Sequence, residues 1–230
     1  MKNNFINKIL KVVTYEELPK TFLIFYSVGL SLFLIPFTRD LFTALTPLSL
    51  LLVNAALLYH HRHWNFRFIA FILTVVISSF LIEAEGVSGG VLFGEYQYLS
   101  TLGPKLLKTP LVIGVNWLML TYCSAAIMEY IRRRSAGTVD IAVKILGGAL
   151  LMVTYDIVVE MVAPGMGMWE FNQGYPPARN FVMWFVMALV YHIIFSALKI
   201  KPVGKPAIAL FFSQIGFFLI ISLFMAAGVV

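Results

Sequence analysis

The chain has 230 residues, of which 60% are hydrophobic and 12% charged, against roughly 25% charged in an ordinary soluble domain; a water-soluble globular fold is excluded. Spans of about 20 apolar residues joined by short connections use this length up in roughly seven crossings, which leaves one domain, 1–230, and no second. The net charge of +6 fits the Lys and Arg that membrane proteins collect in cytoplasmic loops and gives no reason to expect nucleic acid, while the lone Cys123 excludes a disulfide framework.

In chain order, Phe5, Ile6, Ile9, Leu10 and Val13 recur at helical spacing among Lys2, Lys8 and Lys11. This predicts a short amphipathic helix within residues 1–18, lying in the membrane interface. No small-residue cleavage site follows the first apolar run, so no cleavable signal is expected. Apolar runs then predict spans near 20–37, 41–59, 67–84, 110–129, 141–161, 180–198 and 207–227, an all-α integral membrane bundle of about seven transmembrane helices. Of the 17 Lys and Arg residues, only Arg39, Lys105, Lys108 and Arg179 fall on the side away from the N-terminus. The N-terminus is therefore expected in the cytoplasm and the C-terminus outside, in a multi-pass protein of the cell membrane.

His60, His61 and His63 share the connection after the second span and read as a polar interfacial loop. They lack the HxxHH spacing of a membrane di-iron site, and no DxxD pair for magnesium-diphosphate is present. No metal and no cofactor are expected. His192 reads as a packed residue of the sixth helix, and Glu129 and Asp140 as partners that balance the Arg132 to Arg134 cluster.

The carboxylates are distributed unevenly. Glu83, Glu85, Glu95, Asp156, Glu160 and Glu170, six of the 11 Asp and Glu, lie in or beside two long connections, 83–110 and 162–180, which are expected to fold back over the bundle as partly ordered caps. Asp156 and Glu160 are four residues apart and share one face of the fifth helix, and Glu83 is expected to end the third at a similar depth. Ionisable residues in spans are costly and usually face the bundle interior, where a protonated carboxyl beside an ionised one can serve as acid and base. By spacing alone they could equally cap helix ends; Glu85 and Glu170 read as solvated. The loop Gly86 to Tyr98 is rich in glycine and aromatics without a Walker spacing. Tyr96 and Tyr98, and in the second loop Trp169, Tyr175, Pro176, Pro177, Asn180 and Trp184, either line a pocket or belong to an interfacial aromatic belt.

Glu83-x-x-Gly86-x-x-x-Gly90-x-x-Phe93-Gly94-x-Tyr96-x-Tyr98, followed by Leu102-Gly103-Pro104, resembles the membrane carotenoid hydratases of the CruF type. Asp156-x-x-x-Glu160, Trp169, Gly174-Tyr175, Pro177, Asn180 and Trp184 resemble that family's second signature, so the likeness covers roughly residues 83 to 184. Glu160 stands where the family tends to have aspartate followed by proline, Gly89 and Leu92 where it tends to have threonine and proline, and Glu95 where a basic residue is usual. The resemblance implies addition of water to the terminal double bond of an acyclic carotenoid end, such as that of gamma-carotene or lycopene, giving a tertiary alcohol without a cofactor. It implies Asp156, Glu160 and Glu83 as catalytic groups, with Phe93, Tyr96, Tyr98, Trp169, Tyr175, Asn180 and Trp184 around a carotenoid taken from the membrane lipid. An intramembrane carotenoid cyclase is the nearest competitor, and a transporter or lipid-binding protein the competitor from another class. A transporter would more often show inverted repeats, and none is visible.

Overall fold

The computed structural model describes residues 13–132 and 137–229. The predicted interfacial helix falls largely on 1–12, outside the described residues, as do Arg133 and Arg134. Among the described residues seven helices follow in order: α1 Leu18–Leu34, α2 Pro36–Tyr59, α3 Phe66–Gly89, α4 Val112–Ile131, α5 Thr138–Glu160, α6 Ala178–Ala197 and α7 Gly204–Ala226. Six of them, α2 to α7, are long and apolar enough to cross a membrane, as in a multi-pass membrane protein; α1 has 17 residues.

Two boundaries differ from the sequence expectation. Instead of a short loop after residue 37, α1 and α2 are separated by Ile35 alone, in extended conformation, with Pro36 opening α2. Proline suits a first helical position, whose N–H needs no partner. The turn then satisfies the terminal carbonyls of α1 from α2, because Thr38 Oγ1 donates to Leu32 O at 2.7 Å and Arg39 Nε to Phe33 O at 3.0 Å. Likewise α3 does not end at Glu83 but runs to Gly89, stopped by Gly90 at φ +64°. Glu83 is buried within the bundle, so its charge does not mark a helix end.

The helix with the most buried surface is α4, packed against α2, α3, α5, α6 and α7. By contrast, α2 buries only Val53, Asn54 and Leu57, all in its C-terminal half, and leaves Phe37, Leu41, Leu45 and Leu48 exposed. At the end where α3 and α5 finish, the two long connections fold together. Strand β1 Tyr96–Tyr98 pairs antiparallel with β4 Trp169–Phe171, with Tyr96 opposite Phe171 and Tyr98 opposite Trp169. Leu99 N–H to Met168 O and Asn172 N–H to Glu95 O extend the pairing. The two connections thus form one cap over this end of the bundle.

Between the paired strands, β2 Lys105–Leu106 and β3 Thr109–Pro110 form a hairpin whose two turn residues, Leu107 and Lys108, have φ of 51° and 63°. A left-handed conformation costs a residue other than glycine roughly 1–2 kcal/mol. Replacing Leu107-Lys108 by Asn-Gly, the pair suited to this turn, is expected to stabilise the protein by about 1 kcal/mol. A higher thermal midpoint in detergent would register the gain.

The opposite end carries the expected charge balance. Asp140 pairs with Arg132 at 2.9 Å and Lys144 at 3.0 Å, and Lys144 also reaches Glu129 at 3.1 Å. His61 stacks on Phe68 and shares a 2.7 Å hydrogen bond with the Tyr122 hydroxyl, which accepts the Val203 N–H; burial holds its imidazole below its ordinary pKa. His192 bonds Ala188 O and Ser124 Oγ. Both histidines thus bond side chains of α4.

Candidate active site

The last two turns of α3 carry Glu83, 4% exposed, towards α4 and the cap. The cap returns to it because Gly86, one turn on, has no side chain: the Phe93 ring sits where a Cβ would project. Residues two apart in a strand share a face. Tyr96 and Tyr98 therefore aim together, and their hydroxyls donate to the same Glu83 oxygen, Oε2, at 2.6 and 2.9 Å. Trp117 Nε1 on α4 donates to Oε1 at 2.9 Å. Burial, and next the Glu83 charge, hold both phenols well above their ordinary pKa, so they remain donors.

Asp156 and Glu160 occupy one face of the last turns of α5, as their spacing predicts. Asn180, in the first turn of α6, bridges them: its Nδ2 lies 3.0 Å from Asp156 Oδ2 and 3.3 Å from Glu160 Oε1. The other Glu160 oxygen accepts Trp169 Nε1 at 3.1 Å. Asp156, 1% exposed, differs from its neighbours, since its Oδ1 has no hydrogen-bond partner among the described residues. Trp184, one turn beyond Asn180, stacks on Trp117 at 4.1 Å between ring centroids and so ties the Asn180 helix to the Glu83 cluster.

All three carboxylates line one cavity of about 470 Å³, together with Phe93, Tyr96, Tyr98, Trp169, Asn180 and Trp184. Tyr175 is the exception among the expected residues. Gly174, at φ +81°, turns the chain outward before the two prolines, and Tyr175 is left 64% exposed on the surface. Glu85 is exposed as expected, and Glu170 is half-buried and accepts a hydrogen bond from Gln97.

Sequence reasoning missed the rest of the cavity. Trp117 and Asn116 come from α4, Gln214, Phe217 and Phe218 from α7, and Tyr26, Ile24, Val28, Leu45 and Thr46 from the α1–α2 hairpin. The apolar members look in sequence like lipid-facing residues; Asn116 and Gln214, amides within spans, were the available signal. Ile24, Val28 and Leu45 are each at least 40% exposed on the apolar flank, so the cavity opens sideways between α1 and α2 as well as lying beneath the cap.

The family model described as carotenoid biosynthesis protein matches residues 44–230, from within α2 onward. No curated protein and no solved structure matches the chain.

Proposed function

The chain belongs to the carotenoid biosynthesis protein family, and from that premise we propose that it is a carotenoid hydratase, adding water across the terminal 1,2 double bond of an acyclic carotenoid end such as that of lycopene or gamma-carotene. The observation that carries this reading is the convergence of Glu83, Asp156 and Glu160 on one cavity whose remaining wall is mostly apolar and open at the flank. Three carboxylates in such a setting supply acid, base and fixed negative charge within reach of a hydrocarbon.

The hydrogen-bond inventory favours a division of labour. Asp156 has the unpartnered oxygen and is the best placed to carry a proton and deliver it to the less substituted alkene carbon. The tertiary cation that results is stabilised by Glu83, an anion fixed in place by three donors, and by the ring faces of Tyr96, Tyr98 and Trp169. Glu160 takes a proton from the attacking water as its oxygen bonds to the cationic carbon. Transfer of that proton from Glu160 to Asp156, across the pair held by Asn180, restores the starting state. The reaction consumes one water and needs no cofactor.

The distribution of Lys and Arg favours an arrangement with the cap outside the cell membrane. Water then reaches the carboxylates from the cap side, while the polyene slides in from the bilayer between α1 and α2. Thr46→Trp, which fills the flank lined by α1 and α2, is expected to raise KM about tenfold with kcat within twofold, the signature of impaired substrate binding. An equal fall in kcat would point to a different route. The founding experiment is expression in a host that accumulates lycopene or gamma-carotene, with mass spectrometry of the extracted pigment. A product heavier by one water supports hydration, a new pigment of unchanged mass supports cyclisation, and unaltered pigment despite good membrane expression supports a non-catalytic protein.

A further inference from the structure

Gln214 lines the same cavity but takes no part in the chemistry above. Its side chain sits on α7 and is 2% exposed, and its Oε1 has no hydrogen-bond partner among the described residues. Leaving an amide oxygen buried without a donor is costly, and native structures mostly avoid it.

Ring contacts define the surroundings of this amide. Phe211 and Phe218, three and four residues to either side on one stripe of α7, pack on Tyr155 at 5.7 and 6.0 Å. Phe217 packs on Tyr26 at 5.7 Å. The wall around Gln214 is therefore built of rings, and the Tyr26 and Tyr155 hydroxyls that it carries do not bond Gln214 Oε1; a water held there would need two to four polar partners. A hydroxyl carried on a hydrocarbon has no such requirement, because burial of its own chain brings it to the site. It can also donate to the amide oxygen, which a keto group cannot.

We propose that Gln214 is a second polar subsite of the cavity and takes the hydroxyl of a linear carotenoid alcohol. The inference rests on the reading that the cavity holds a carotenoid. It implies that the protein binds a hydroxylated polyene more tightly than the parent hydrocarbon, and so retains its alcohol for the reaction that consumes it.

The test is a binding titration in lipid nanodiscs with lycopene and monohydroxylated lycopene, read by quenching of tryptophan fluorescence. It is run in the Asp156→Asn background so that neither pigment is turned over. The alcohol should bind about tenfold more tightly than lycopene. In Gln214→Leu, and in the length-matched Gln214→Met, the two pigments should bind equally while the Kd for lycopene stays within twofold. Equal binding before Gln214 is altered, or a preference that survives in both variants, would overturn the subsite. Loss of lycopene binding in both variants would overturn it too, and make Gln214 a packing residue. If neither pigment bound even with Gln214 in place, the carotenoid reading itself would fall.

Discussion

Asp156→Asn is expected to slow product formation by about 10²–10⁴-fold, the usual contribution of a positioned general acid, with the protein still present in the membrane at normal abundance. Asparagine has the shape of aspartate, and its carbonyl can still accept the 3.0 Å hydrogen bond from Asn180; what is lost is the transferable proton. Glu160→Gln should also abolish net hydration, but at a later step. With Asp156 intact the cation still forms, and without a base to activate water it returns a proton and reverts to alkene. In heavy water the recovered carotenoid should therefore carry deuterium near its terminal double bond with Glu160→Gln and none with Asp156→Asn. The reverse pattern would exchange the two assignments, and deuterium in neither would mean that both residues act before protonation.

The seven apolar helices, six of them long enough to cross a membrane, were legible because a span needs an uninterrupted stretch of about 20 residues whatever its neighbours are. What local pattern does not reveal is which side of a helix meets protein. Glu83 and Glu85 are two residues apart on α3 and so point in nearly opposite directions; one is buried among donors and the other is exposed. Asp156 and Glu160 could be paired from their spacing, yet their bridge, Asn180, is on another helix. Tyr96 and Tyr98 would have been assigned to one oxygen had the segment been recognised as a strand, but its partner strand lies about 70 residues away across the bundle. Tyr175 was grouped with its sequence neighbours, whereas one glycine at positive φ turns it to the surface. The α1–α2 flank was illegible for a different reason: a residue facing lipid and one facing an apolar cavity obey the same chemistry.

Glu83 separates charge from architecture, and two substitutions should show the difference. In Glu83→Leu the hydroxyls of Tyr96 and Tyr98 and the indole N–H of Trp117 lose their acceptor in a buried site. An unsatisfied buried donor costs about 1–3 kcal/mol, so a loss of about 3–5 kcal/mol is expected after partial relaxation, with loosening of the cap that β1 anchors. Glu83→Gln should be far milder. Its carbonyl can face Trp117, whose N–H can only donate, while its NH2 group faces the phenols, whose oxygens can accept instead. The fold should then persist with a thermal midpoint within a few degrees of the original, whereas hydration should fall about 10²–10³-fold, because a neutral amide cannot stabilise a cation as a fixed anion does. Both quantities are measured on the same detergent-solubilised preparations, by thermal unfolding and by pigment conversion. If Glu83→Gln kept full activity, Glu83 would be a brace for the cap alone, and the charge opposite the cation would have to come from Glu160.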